Sequence, residues 1–251
     1  MSGYNPPLDD INFCIRHLTD IDNILSLDPF EGMDVADLEQ VLEEAGKFAR
    51  DVIAPTNAIG DRKGVSLEGN TVRVPDEVAE VHAQYVANGW QSVAGNPEFD
   101  GMGLPSTVAN AVSEMVQTGN LAYSLLPMLT SDAAIALEEH GTEELKQKYL
   151  AKLITGEWAG TMLLTEPQAG SDLGALKARA VRDGDQFRIS GTKIYITWGD
   201  HELSNNIIHF VLARIEGAPE GVRGISMFLV PKFLVGDNGE TGERNDLRAT
   251  S

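Results

Sequence analysis

Two segments carry the residue types best suited to chemistry: Thr165-Glu166-Pro167-Gln168-Ala169-Gly170-Ser171-Asp172 and Gly191-Thr192-Lys193-Ile194-Tyr195-Ile196-Thr197. The first places the hydroxyls of Thr165 and Ser171 around a glycine. Gly170 lets a ligand approach the backbone closely. Exposed amides at Gly170 and Ser171 can hold a phosphate or a ring carbonyl without any basic residue. A strand-to-loop turn with an Asx cap is the plainer account, and the length of the string weighs against it. The second segment alternates like a strand. Tyr195 offers a flat aromatic face to a planar ligand, and Thr197, two residues on, is expected on the same face. Taken alone, this segment reads equally well as a half-exposed strand with Tyr195 packed across it.

The remaining candidates are weaker. His201-Glu202 and His209 do not make a metal-ligand spacing, and Ile207-Ile208 between them reads as strand, so no metal site is expected. His17, His82 and His140 lie on helix-like segments and read as packing or surface residues. There is no GxGxxG, and Gly101-Met102-Gly103-Leu104 is too short for a dinucleotide loop. One cysteine, Cys14, excludes an intramolecular disulfide and fits a reducing cytoplasm, the expected location, or a matrix-like compartment; between Phe13 and Ile15 it is expected as a small buried hydrophobe. Thirty-eight acidic against 19 basic side chains, a net charge of −19, argue against nucleic acid or an anionic membrane as partner. Residues 1–10 lack the pattern of a secretory signal, and no apolar run reaches membrane-spanning length.

These segments need elements to position them, and the pattern changes near residue 158. Before it the periodicity is helical. Leu38, Val41, Leu42, Ala45, Phe48, Ala49, Val52 and Ile53 form one face of a helix that Pro55 should end. Pro75 opens a second helix and Gly89 closes it; Ser106 should cap a third. A fourth is expected over residues 133–139, and Thr142 caps a fifth that stops at Gly156. After residue 158, strands are expected at 160–164, 178–182, 186–190, 193–197, 207–214 and 225–230, with a hairpin turn at Asp183-Gly184. Pro231 should close the last clear strand, leaving a polar tail from Gly236 that adds no core. The expected organisation is α+β: an arm over residues 1–35 lying on the helical part or trailing as a tail, an antiparallel helical bundle over 36–157, and a mainly antiparallel, β-barrel-like domain over 158–251.

At residues 165–172 and in Gly184-Asp185-Gln186-Phe187-Arg188-Ile189-Ser190-Gly191-Thr192-Lys193-Ile194-Tyr195-Ile196-Thr197, the chain resembles the acyl-CoA dehydrogenase family. Pro97-Glu98-Phe99-Asp100-Gly101-Met102-Gly103-Leu104 resembles the family's helical-domain loop, and the likeness covers essentially the whole chain. The arm and the run from His201 to Phe233 resemble the long bacterial subgroup, which includes enzymes for straight-chain acyl-CoAs and for 3-methylthiopropanoyl-CoA. The resemblance implies FAD. Met162, Leu164, Thr165, Gly170 and Ser171 would line its ring and pyrophosphate, with Thr165 on the pyrimidine edge and Ser171 on the pyrophosphate or the CoA. Tyr195, where many relatives have Trp, would flank the ring; Ile196 and Thr197 would continue that wall, Thr197 reaching toward N5.

The reaction implied is α,β-dehydrogenation of an acyl-CoA thioester. A carboxylate takes the α-proton, flavin N5 takes the hydride, and an electron-transfer flavoprotein takes the electrons. The resemblance also implies a homodimer or homotetramer. Its catalytic glutamate belongs to a C-terminal helical domain that no residue here matches, so the chain is expected to be an N-terminal fragment with no catalytic residue of its own. Two alternatives stay open: a non-catalytic flavin-binding or interaction remnant, and an oxidase or monooxygenase of the same superfamily.

Overall fold

The computed structural model describes residues 3–250; Met1, Ser2 and Ser251, at the ends of the expected arm and tail, lie outside the described residues. The arm is helical. α1 (Leu8–Leu18) turns Ile11 and Ile15 into the core, one turn apart, and α2 (Ile21–Leu25) follows. Cys14 sits off that inward stripe and is exposed, which corrects the expectation of a buried thiol.

α3 (Val35–Phe48) starts at a reciprocal cap. Asp37 N donates to Asp34 Oδ1 at 2.9 Å, and Asp34 N donates to Asp37 Oδ2 at 3.2 Å. The helix does not end at Pro55. A π-helical turn at Ala49–Ile53, in which Ala54 N donates to Ala49 O, leads into α4 (Ala54–Lys63). The wider turn makes room for the proline ring and uses the position that lacks an N–H. A small hairpin, β1 (Ser66–Glu68) and β2 (Thr71–Arg73), precedes α5 (Asp76–Ala87), which Gly89 leaves at φ +76°.

α6 (Ser106–Gly119) begins with Ser106 inside the helix, and its side chain caps nothing; Pro105 holds the entry instead. α7 (Leu121–His140) is 20 residues long rather than the expected 133–139, and it runs through Pro127. Asn120 caps it, accepting from Tyr123 N at 3.1 Å, and its amide donates to Thr56 Oγ1 at 2.9 Å, joining α7 to α4. α8 (Glu143–Thr155) has the expected Thr142 cap and Gly156 at φ +80°.

β3 (Trp158–Leu163) follows at once. The hairpin of β4 (Arg179–Asp183) and β5 (Gln186–Ser190) turns at Gly184, φ +63°. The ten-residue β6 (Asn206–Ile215) organises the sheet. One edge pairs in parallel with β3 and, further along, with β4; the other pairs antiparallel with β7 (Ile225–Pro231). Antiparallel pairings predominate, and the two parallel ones both use β6. β8 (Phe233–Val235) and β9 (Thr241–Arg244) form a hairpin, Asn245 N returns to Lys232 O at 2.9 Å, and residues 236–250 bury no side chain fully, as expected of a tail that adds no core.

One core lies among α1, α3, α5, α6 and the start of α7, around Leu38, Leu42, Met115 and Tyr123. A second joins helices to sheet: Ala133 and Leu137 of α7 and Leu150 and Leu153 of α8 pack on Trp158, Ile208 and Phe210. At Gly160 of β3 the sheet and α7 nearly touch, since a methyl there would lie 2.4 Å from Ala133 Cβ. Gly160 N donates to Thr130 Oγ1 at 3.1 Å. This contact sets β3, and the segment that leaves it, against the helical layer.

Candidate functional site

β3 ends by delivering half-buried Met162, Leu164 and Thr165 to the surface. A tight turn follows, closed by Glu166 N to Ala169 O and Ala169 N to Glu166 O, both 3.0 Å, with Pro167 within it. Gly170 and Ser171 emerge from this turn exposed. A Cβ added at Gly170 would meet nothing within 4 Å. Among the described residues the amides of Gly170 and Ser171 find no backbone acceptor. They are free, uncharged donors beside two hydroxyls.

Residues 193–197 are not a strand, contrary to the alternation in the sequence. Tyr195 and Trp198 take left-handed backbone conformations, φ +58° and +51°. Such a residue reverses the local direction of the chain, so the two-residue periodicity that was to put Thr197 on the face of Tyr195 does not apply. Tyr195 stands 90% exposed; Ile196 is half-buried and Thr197 exposed. The segment still meets the first one. Ile194 N donates to Thr165 O at 2.9 Å, and Thr161 Oγ1 donates to Thr197 O at 2.7 Å. The expected site residues from the two segments therefore border one surface at the end of β3.

The sequence assigned no role to Glu166 and gave no sign of what fastens the two segments. Lys193 Nζ lies 2.8 Å from Glu166 Oε1, with side chains only 6% and 3% exposed. Glu166 also accepts from Lys177 N at 2.6 Å, Ala178 N at 3.0 Å and Gln168 Nε2 at 2.5 Å. Lys193 donates further to Leu164 O at 3.0 Å. Burial by itself opposes ionisation of Glu166, but Lys193 and the two amides outweigh it and hold the carboxyl at a pKa of about 2. The available signal was a single base, Lys193, in one motif and acids, Glu166 and Asp172, as the only charges in the other.

The histidines considered as ligands, His201 and His209, lie buried beneath this surface. His209 contacts Val230 O through Nδ1 and Gly199 O through Nε2, both at 2.9 Å. His201 accepts from Leu203 N through Nδ1 at 3.1 Å. Burial, with smaller contributions from His82, Lys232 and His209, lowers the His201 pKa to about 3, and burial lowers that of His82 to about 4. Lys232 and Asp200, both buried, pair at 2.5 Å, and Lys232 Nζ donates to His201 O at 2.6 Å.

Residues 36–157 match the acyl-CoA dehydrogenase N-terminal domain, and residues 161–246 match the acyl-CoA dehydrogenase middle domain. The chain belongs to the acyl-CoA dehydrogenase family. Within it, the 3-methylmercaptopropionyl-CoA dehydrogenase of Ruegeria pomeroyi is 46% identical over 99% of this chain and 42% of its own length. A butyryl-CoA dehydrogenase of Syntrophomonas wolfei is 34% identical over 96% of this chain and 40% of its own. This acyl-CoA dehydrogenase chain thus spans about two fifths of the length of the curated relatives it matches. A solved FAD complex of PigA aligns with a TM-score of 0.61 and 25% identity, over 77% of this chain and 47% of that one. The candidate surface lies within the middle-domain match. Among the described residues no helix is long and apolar enough to cross a membrane.

Proposed function

We propose that this chain supplies the flavin-holding half of an FAD-dependent acyl-CoA dehydrogenase. The observation that carries the reading is the juxtaposition of residues 165–171 with residues 194–197 at the end of β3, fastened by Glu166 and Lys193. The donor set suits the group. It offers an exposed aromatic ring at Tyr195, apolar wall from Met162, Leu164 and Ile196, hydroxyls at Thr165 and Thr197, and unpartnered amides at Gly170 and Ser171. In this reading Tyr195 flanks the flavin ring and Thr165 and Thr197 hydrogen-bond its polar edge. Gly170 and Ser171 hold the pyrophosphate, Ser171 being shared with the CoA of the substrate. When bound, FAD supplies the two-electron acceptor for the β-hydride of an acyl-CoA, and the electrons leave to an electron-transfer flavoprotein.

The same reading assigns no base within the chain. Glu166, the buried carboxylate of the first segment, is consumed by Lys193 and two backbone amides. By likeness to the family, the α-proton is taken by a carboxylate of the whole protein outside these residues, and the chain alone turns nothing over. The assembled enzyme is a cytoplasmic homo-oligomer. The test is direct. The purified chain should quench flavin fluorescence when titrated with FAD, and the protein at its relatives' length should be yellow and bleach anaerobically with a short-chain or methylthio acyl-CoA. A colourless protein indifferent to every acyl-CoA offered would sink the reading.

A further inference from the structure

Thr161 of β3 and His209 of β6 are register partners, and both are buried. Each reaches the loop that carries Tyr195 and Thr197. Thr161 Oγ1 donates to the Thr197 carbonyl at 2.7 Å; burial lowers the His209 pKa, so its ring carries a single N–H, and as the Nε2–H tautomer it donates to the Gly199 carbonyl at 2.9 Å. Two carbonyls, two residues apart in one loop, are thus held from a single rung of the sheet. Between them stands Trp198 in the left-handed region, and just before them Tyr195 in the same region. Aromatic residues adopt that conformation only where their surroundings over-determine it, and such strain gathers at ligand sites. The far side of the loop is pinned as well: Trp198 Nε1 donates to Ala122 O of α7 at 3.0 Å, and Lys232 holds Asp200 and His201 O.

We propose that Thr161 and His209 are positioning residues that act through this loop, clamping the Thr197 and Gly199 carbonyls so that Tyr195 and Thr197 stay presented to the flavin. The proposal rests on the flavin reading above. Neither side chain touches the cofactor; their effect on it is transmitted by the backbone of residues 195–199.

Donor position separates this role from simple filling of buried space. Thr161→Val keeps the shape and removes the donor, whereas Thr161→Ser keeps the donor. In His209→Gln the amide nitrogen takes the place of Nε2 and reaches Gly199; in His209→Asn it takes the place of Nδ1 and reaches only Val230. The four variants of the 251-residue chain are compared by hydrogen exchange over residues 194–201 and by FAD affinity from flavin fluorescence. Thr161→Val and His209→Asn should lose protection in that stretch and weaken FAD about tenfold, the equivalent of one hydrogen bond. Thr161→Ser and His209→Gln should keep both. The clamp is overturned if Thr161→Val and His209→Asn exchange as the unaltered chain does, if they lose protection yet bind FAD unchanged, or if Thr161→Ser and His209→Gln fall equally far. If the unaltered chain binds no FAD, the flavin reading and the positioning role fall together; the exchange data then report on the loop contacts by themselves, so the two failures are distinguished.

Discussion

Lys193 Nζ sits 2.8 Å from Glu166 Oε1 in a nearly dry contact, and this one pair ties the segment leaving β3 to the loop bearing Tyr195. Removing one partner of such a pair leaves a buried charge uncompensated. Lys193→Met should therefore cost about 3–5 kcal/mol of stability. Lys193→Met with Glu166→Gln should cost less than the sum of the two single changes, because the coupling between the residues is lost only once. Urea unfolding of the four proteins measures the cycle; additive losses would show that the two groups act independently.

The buried histidines set the pH dependence in the mildly acid range. His82 and His201 titrate near 4 and 3 in the folded chain against 6.5 when exposed. Below pH 6.5 the unfolded chain binds protons that the folded chain refuses, so stability falls as pH drops from 6.5 toward those values. These two groups alone give a slope of about 3 kcal/mol per pH unit, and His209, whose pKa burial also lowers, adds to it. Urea midpoints taken from pH 7.5 down to about 4.5 should trace this decline, and His82→Gln should make it shallower. Midpoints that do not move would contradict the buried neutral state.

Glu166 adds a further loss at lower pH. Its folded pKa of about 2 lies below the ordinary 4.5, so its contribution is fully present above 4.5 and is lost as pH falls through about 2. In Lys193→Met the main attraction that lowers this pKa is gone, and acid unfolding should begin at higher pH. Circular dichroism followed during acid titration reads the shift.

Tyr195 opposes stability to function. It is 90% exposed and left-handed at φ +58°, so its ring adds little packing while its backbone is unfavourable. Tyr195→Gly should raise stability by roughly 1 kcal/mol, the left-handed cost less the entropy of glycine. It should also weaken FAD, because the aromatic face is gone. Thermal melts and FAD titration on one preparation test both halves, and a Tyr195→Gly chain that binds FAD as before would remove Tyr195 from the site.

Gly160 permits the approach of α7 to β3. A methyl there would fall 2.4 Å from Ala133 Cβ and force helix and strand apart. Gly160→Ala should cost about 1–3 kcal/mol by overpacking, seen as a lower melting temperature. Gly170→Ala, with open space around the new methyl, should leave stability near that of the unaltered chain.

What could be read from residues alone was local. Leu38, Leu42, Ala45 and Ile53 recur at helical spacing, and Asp183-Gly184 marks a turn, because each signal lies within a few neighbours. The length of α7 escaped that reading because residues 121–129 are apolar on nearly every side and show no stripe. Pro55 looked like a stop because a π turn leaves no periodic trace of its own.

The site divides in the same way. By itself the sequence determined the chemical inventory: which hydroxyls, amides and aromatic ring are available, and the family motifs that contain them. Only the tertiary structure decided their arrangement. Glu166 and Lys193 are 27 residues apart, and Thr161 and Thr197 are 36 apart. No local rule joins them; the parallel pairing of β3 with β6 and the packing of α7 on Gly160 bring them together. The alternation of residues 193–197 promised a strand, and it failed because buried contacts to Thr161, His209 and Ala122 stabilise left-handed turns that the residues would not adopt alone.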